Sequence, residues 1–308
     1  MKIKRVWRLL KETFQEWSED KASRLAAALA YYTMFSLAPL LVIVVAIAGF
    51  FFDKAAVKDQ LTQQIQSLVG SEGAAFAQTA LENANTPGEN TSLIASIISV
   101  VLLLVGATGV FGQLQESLNV VWNVEAKPGN AASGFVRKRL LSFAMLLTIG
   151  FLLMVSLVLS AGLAALSTYL SGLLPGVDAL WQLLNIVLSL AIVTAMFALL
   201  YKYVPDVTIN WDDVWMGSFI TALLFTVGKF LLGLYLGNSG FSSTYGAAGS
   251  VIIILAWVYY SAQILFFGAE FTQVYARRYG SRIRPDEHAV PLTPETRARQ
   301  GMPRQDRL

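Results

Sequence analysis

The chain has 308 residues, 55% of them hydrophobic and only 14% charged, with a mean hydropathy of +0.56 and a formal net charge of +3. A soluble domain carries about 25% charged residues, so this is the composition of a membrane protein. No cysteine occurs and His288 is the single histidine, which excludes thiolate nucleophiles, disulfides, iron–sulfur clusters and Cys/His zinc sites. Ser-His-Asp catalysis is excluded too unless the polar tail around His288 folds back.

In chain order, residues 1–30 come first. Ile3, Val6, Trp7, Leu10, Phe14 and Trp17 recur at helical spacing among Lys2, Lys4, Arg5, Arg8 and Lys11, which predicts an amphipathic basic helix lying on anionic headgroups. No nucleic-acid-binding motif accompanies these charges, so nucleic acid is not an expected partner.

A bilayer core about 30 Å thick takes roughly 20 apolar residues in a helix. Six stretches qualify, near Tyr31 to Phe52, Leu93 to Phe111, Leu140 to Tyr169, Trp181 to Tyr203, Val214 to Leu236 and Ala247 to Phe271. Runs such as Leu40 to Phe52 do not alternate polar and apolar residues, which argues against a barrel. The first apolar run follows a long charged stretch and exceeds the roughly 7 to 15 residues of a signal-peptide core, so the expectation is a retained anchor.

Summed over alternate segments, Lys and Arg number 20 on one side of these spans and 2 on the other, with Lys229 inside the fifth. Cytoplasmic flanks retain the cations, which predicts cytoplasmic termini and an outside loop at 53–92. That loop carries Asp53, Asp59, Glu72, Glu82 and Glu89 against Lys54 and Lys58. Its stretches Ala55 to Val69 and Gly73 to Ala84 predict two short helices before the breaker Asn85-Thr86-Pro87-Gly88, either capping the bundle or merely connecting spans.

The fold class read from this pattern is all-α: a polytopic bundle of six transmembrane helices over 31–271. The tail, 272–308, has few apolar residues and many prolines and arginines, and is expected to be disordered.

Polar groups at membrane depth cost about 2.5 to 3.5 kcal/mol for Lys, Arg or Asp at the centre of a helix, so each needs a reason. Lys229 either snorkels outward, meets a structural partner or contacts a substrate. Glu270 lies toward the cytoplasmic end of the sixth span, where Arg24 is a depth-matched cation, so an Arg24 to Glu270 contact is expected. Tyr260, Gln263, Phe267 and Glu270 share one face of that span. This polar seam serves helix–helix hydrogen bonding or lines a cavity for an amphiphile. After the second span, Gln113, Glu116 and Asn119 oppose Leu114, Leu118 and Val121, the pattern of a helix leaving the membrane. Asp206, Asp212 and Asp213 suit a helix N-terminus. The Gly/Ser-rich hairpin 237–249 is flexible, gates a cavity or packs closely. Gly109-Val-Phe-Gly112 lacks the Gly-Lys-Ser/Thr of a P-loop.

Several blocks resemble a known family. Arg24-Leu-Ala-Ala-Ala-Leu-Ala-Tyr-Tyr-Thr-Met-Phe-Ser-Leu-Ala-Pro39 is followed by Gly112-Gln-Leu-Gln-Glu-Ser-Leu-Asn119 with Trp122. Then come Tyr203-Val-Pro-Asp206, Tyr245-Gly-Ala-Ala-Gly249, Trp257-Val-Tyr-Tyr260 and Gly268-Ala-Glu270. In this order they resemble the YihY/BrkB family of bacterial inner-membrane proteins, over about residues 5 to 280. The resemblance implies a six-helix plasma-membrane protein linked to envelope integrity, serum resistance in some members, and a role in moving lipids or glycolipids. The family's old label, ribonuclease BN, is mistaken for this chain, because metal-dependent RNA cleavage of the metallo-β-lactamase type needs a His-rich ligand cluster.

The resulting expectation is a non-enzymatic membrane protein with no cofactor and no metal. It transports or flips a lipid or other amphiphile, or else acts as a scaffold for envelope proteins. Its candidate pathway or seam residues are Arg24, Tyr32, Gln113, Asn119, Lys229, Tyr260, Gln263 and Glu270. Membrane lipids are the expected partners, with envelope proteins or a second copy of the chain as further ones.

Overall fold

In a computed structural model of the chain, the residues described are 2–49, 53–84, 109–127, 178–238, 248–280 and 283–303. Most of the second expected span and all of the third lie outside them, as do the breaker at 85–88 and the centre of the hairpin at 237–249. The helices are α1 (Lys2–Glu19), α2 (Ala22–Ala48), α3 (Lys54–Val69), α4 (Ser71–Ala84), α5 (described over 109–121), α6 (Asp178–Tyr203), α7 (Trp211–Asn238), α8 (Ala248–Tyr279) and the single-turn α9 (Pro294–Arg299). Among the described residues there are also four short strands, β1 (Val124–Ala126), β2 (Val207–Thr208), β3 (Arg284–Pro285) and β4 (Ala289–Pro291).

Among the described residues, three helical stretches are long and apolar enough to cross a membrane: Gln182–Tyr203, Trp211–Tyr235 and Gly249–Tyr279. They coincide with the fourth, fifth and sixth expected spans, the last reaching further along the chain than its hydropathy indicated. Helix α2 is continuous through the start of the first expected span up to Ala48. At the turn between α6 and α7, Tyr203, Trp211 and Trp215 pack ring to ring with centroids 6.0 and 6.2 Å apart, and Lys202 lies 5.7 Å from the Trp211 ring. Aromatic rings beside a cation are the usual furnishing of a membrane–water interface.

The chain forms two compact units, one of residues 1–20, 118–226 and 267–308, the other of 21–117 and 227–266. In the second unit, α3 and α4 pack on α2 through Leu41, Val45, Ala77 and Leu81, with Val57, Leu61 and Ile65 around them. Asp53 caps α3 by accepting a hydrogen bond from the Ala56 amide at 3.0 Å. Gly70, at φ 90°, supplies the left-handed residue that separates α3 from α4.

In the first unit, α7 and α8 interlock through glycine and threonine. A Cβ on Gly217 would stand 1.8 Å from Thr272 Oγ1, and one on Gly268 would stand 1.9 Å from Thr221 Oγ1 and 2.7 Å from Tyr201 Oη. Each threonine hydroxyl donates to a glycine carbonyl of its own helix, Thr221 to Gly217 at 2.8 Å and Thr272 to Gly268 at 2.7 Å. Small residues that admit such close approach are what bind helices together where lipid removes the hydrophobic drive.

The tail departs from the expected disorder. β4 pairs antiparallel with β1, setting Val124 opposite Pro291 and Ala126 opposite Ala289, and β3 pairs antiparallel with β2. Lys127 N–H donates to the His288 carbonyl, Leu292 N–H to Asn123 and Asp286 N–H to Asp206. The tail is poor in apolar residues. The segment is nevertheless ordered because Ala289, Leu292 and Met302 are buried within this unit and strand pairing satisfies the backbone.

Candidate functional site

Helix α1 is amphipathic in two directions. Leu9 packs against Phe271 and Val274 of α8, and Thr13, Glu16 and Asp20, spaced at three and four residues along the same face, are buried. Val6, Trp7 and Phe14 remain exposed on another face. The helix thus docks on α8 while keeping an apolar stripe uncovered, so headgroup contact is open to only part of its surface.

Four carboxylates and three guanidiniums meet along this contact. Arg277 bonds Glu16 at 2.7 Å and Glu12 at 3.2 Å, and Arg278 bonds Glu12 at 2.5 Å. Arg297, from α9, reaches Asp20 at 2.5 Å. Its other nitrogens donate to the Pro303 carbonyl at 3.2 Å and to Asn123 Oδ1. Only about 1% of Arg297 is exposed, and each of its three guanidinium nitrogens makes a hydrogen bond. Asp20 and Asn123 both adjoin or occupy positive-φ positions, Lys21 at 53° and Asn123 itself at 55°. Arg297 therefore ties together two sharp chain reversals.

Glu270 completes the cluster. It is fully buried on α8, its carboxyl lies within hydrogen-bonding reach of that of Asp20, and Glu16 and Arg297 act on it through their charges. Both Glu270 oxygens and Asp20 Oδ2 have no donor among the described residues. Burial pushes the Asp20 carboxyl up to about 6, against the opposing pull of the Arg297 guanidinium.

A second polar lock joins Asn119 to Asp206. Asn119 Nδ2 donates to Asp206 Oδ2 and Asn119 Oδ1 accepts from the Asp206 amide, each at 2.8 Å. This corrects the reading of Asp206 as a helix N-terminal acid; only Asp212 and Asp213 fall in the first turn of α7.

The candidate residues separate into the two units. Asn119 and Glu270 belong to the first. Arg24, Tyr32, Gln113, Lys229, Tyr260 and Gln263 belong to the second. The expected cation for Glu270 was Arg24; within its own unit the cation acting on Glu270 is Arg297, with Asp20 as the neighbouring carboxyl. Arg24 is exposed in the first turn of α2, and Tyr32 is exposed further along it, edge-on to Tyr31. Gln113 donates to Ser117 Oγ at 3.1 Å. Lys229 is exposed on α7 beside the exposed Val227 and Phe230. The Tyr260 hydroxyl lies 2.7 Å from where a Cβ of Gly228 would be, and Gln263 Oε1 is buried with no hydrogen-bond donor among the described residues.

Sequence reasoning missed Asp20, Glu16 and Arg297. Glu16 and Asp20 were findable, being polar residues one helical turn apart on a single face of α1. Nothing in the local sequence distinguishes Arg297 from the other tail arginines. No group of three or more His, Cys, Asp or Glu side chains among the described residues is arranged to hold a metal ion.

A family model described as Virulence factor BrkB matches residues 13–293, from the middle of α1 through β4. A UPF0761 membrane protein of Pseudomonas paraeruginosa is 32% identical over 260 residues, covering 81% of this chain and 58% of the relative. Another from Teredinibacter turnerae is 31% identical over 280 residues, covering 89% of this chain and 61% of the relative. One from Alteromonas mediterranea is 29% identical over 259 residues, covering 82% and 83%. The chain spans less than two thirds of the length of the first two relatives. No solved structure matches. Apolar helices of membrane-crossing length and a family match over most of the chain lead to one conclusion: the chain belongs to the YihY/BrkB family of membrane proteins.

Proposed function

We propose that this protein is a six-span inner-membrane protein with cytoplasmic termini that moves a lipid or another amphiphile across the bilayer, in the service of envelope integrity. The observation that carries the reading is Gln263 Oε1, a buried acceptor with no donor among the described residues, on a helix of membrane-crossing length. An unsatisfied acceptor in that position costs free energy and is met by water or by a polar ligand passing along the helix. Tyr260 lies on the same helix face, next to Gly228 of α7. Lys229 follows Gly228 and stands exposed between exposed apolar side chains, a pairing of cation and hydrocarbon that suits an anionic amphiphile. The reading contains no covalent step.

The test is translocation of headgroup-labelled phospholipids in proteoliposomes. Wild type transports; Lys229→Ala and Gln263→Leu lose most of the rate while inserting and extracting normally. No transport by the wild type in several lipid compositions rejects the reading.

A second reading, a scaffold that translocates nothing, is supported by α1. Its exposed Val6, Trp7 and Phe14 accompany the basic residues Lys4, Arg5, Arg8 and Lys11, which suits anchorage to an anionic membrane surface. In that case Trp7→Ser weakens binding to anionic vesicles and leaves lipid translocation absent in both forms.

A further inference from the structure

The charges around α1 and α8 do not balance locally. Glu12 and Glu16 are matched by Arg277 and Arg278 through direct ion pairs. Among the described residues, Asp20 and Glu270 are left with one cation between them, Arg297, which bonds Asp20 and also donates to Asn123 and Pro303. Asp20 and Glu270 are both essentially sealed from solvent, at 1% and 0% exposure. The surplus negative charge is therefore buried, where an isolated carboxylate is strongly disfavoured.

The geometry shows how the surplus is relieved. The two carboxyls are within hydrogen-bonding reach of each other, yet two carboxylates are acceptors only and cannot bond. The bond exists only when one of them carries a proton, which then donates to the other's free oxygen. Asp20 Oδ2 and the Glu270 oxygens are the atoms without any other donor among the described residues, so they are the atoms this proton would join. Oδ1 of Asp20 is already occupied by Arg297.

We propose that Asp20 and Glu270 form a buried proton-binding site that holds a single shared proton, with Arg297 of the tail balancing the remaining charge. The ligand is the proton itself, and removing it leaves two carboxylates against one guanidinium. The groups that bias the site are Glu16 on α1, Arg297 on α9 and, at one remove, Arg277 and Glu12. Loss of the proton sets the two carboxylates against each other, which weakens the contact of α1 with α8 at Asp20 and Glu270. The site stands whether or not the protein translocates an amphiphile, and its test is independent of transport.

The experiment is pH-step infrared difference spectroscopy on the purified full chain in lipid nanodiscs, between about pH 5 and 8. The wild type is expected to show a protonated-carboxyl C=O band that shifts in heavy water and is removed as pH rises. Glu270→Gln and Asp20→Asn each abolish it, Glu270→Asp moves it, and Glu116→Gln, an exposed carboxylate outside the cluster, leaves it unchanged. A band indifferent to all substitutions at Asp20 and Glu270 overturns the proposal. So does the absence of any such band in the wild type, including the case where sodium or magnesium chloride raises the melting temperature and a cation takes the proton's place. Should Asp20→Asn and Glu270→Gln fail to fold, the wild type and Glu270→Asp decide by the same criteria.

Discussion

Gly217 on α7 and Thr272 on α8 interlock so closely that a methyl group on the glycine would fall 1.8 Å from the threonine hydroxyl oxygen. The arrangement is reciprocal: four residues on, Thr221 faces Gly268, and Tyr201 of α6 joins through a 3.1 Å bond between its hydroxyl and that of Thr221. Gly217→Ala or Gly268→Ala forces the helices apart and is expected to cost about 1 to 3 kcal/mol by overpacking. A lowered melting temperature in detergent, larger for Gly268→Val than for Gly268→Ala, checks this. An unchanged melting temperature in both would mean the two helices do not meet at these residues.

The bonds between Asn119 and Asp206 are each 2.8 Å; Asn119→Ala removes both, whereas Asp206→Ala removes the one to the carboxylate and leaves the one from the backbone N–H. Asn119→Ala and Asp206→Ala should each destabilise by about 1 to 3 kcal/mol. The double variant should cost clearly less than the two together. Additive losses in denaturant titration would argue against the lock.

Arg297 is the residue through which the tail is held. Replacing it with Ala leaves Asp20 buried without its ion-pair partner, a change expected to cost about 3 to 5 kcal/mol. Arg297→Lys rescues poorly, since a point charge cannot serve Asp20, Asn123 and Pro303 together. Limited proteolysis reads this directly: cleavage beyond Tyr279 is expected to be many-fold faster in Arg297→Ala than in wild type, with Arg299→Ala unaffected.

Asp20 predicts a pH dependence with a definite sign. Its carboxyl sits at about 6 in the folded protein, above the ordinary 3.8, because burial outweighs Arg297. A group raised on folding stabilises the native state fully below its unfolded value, and that contribution is lost as pH rises through the folded value. Resistance to thermal unfolding from this group therefore decreases between about pH 5 and 7.5, by the order of 1 to 3 kcal/mol. Asp20→Asn flattens that interval; a wild type whose stability rises across it contradicts the assignment.

The membrane-crossing helices at Gln182–Tyr203, Trp211–Tyr235 and Gly249–Tyr279 were legible in the sequence because span length is a property of consecutive residues and of bilayer thickness. The two helices of the 53–92 loop and the face shared by Tyr260, Gln263 and Glu270 follow from helical period alone. Which polar residues meet does not. Arg297 and Asp20 are 277 positions apart and Asn119 and Asp206 are 87 apart, and no periodicity relates them. Only the tertiary structure chose Arg297 from the tail arginines, ordered a segment whose own composition cannot form a core, and set Asp20 rather than a span residue against Glu270. The physical reason is that apolar burial is nondirectional and is written locally as pattern, whereas a buried charge is tolerable only beside specific partners that the whole fold must bring to it.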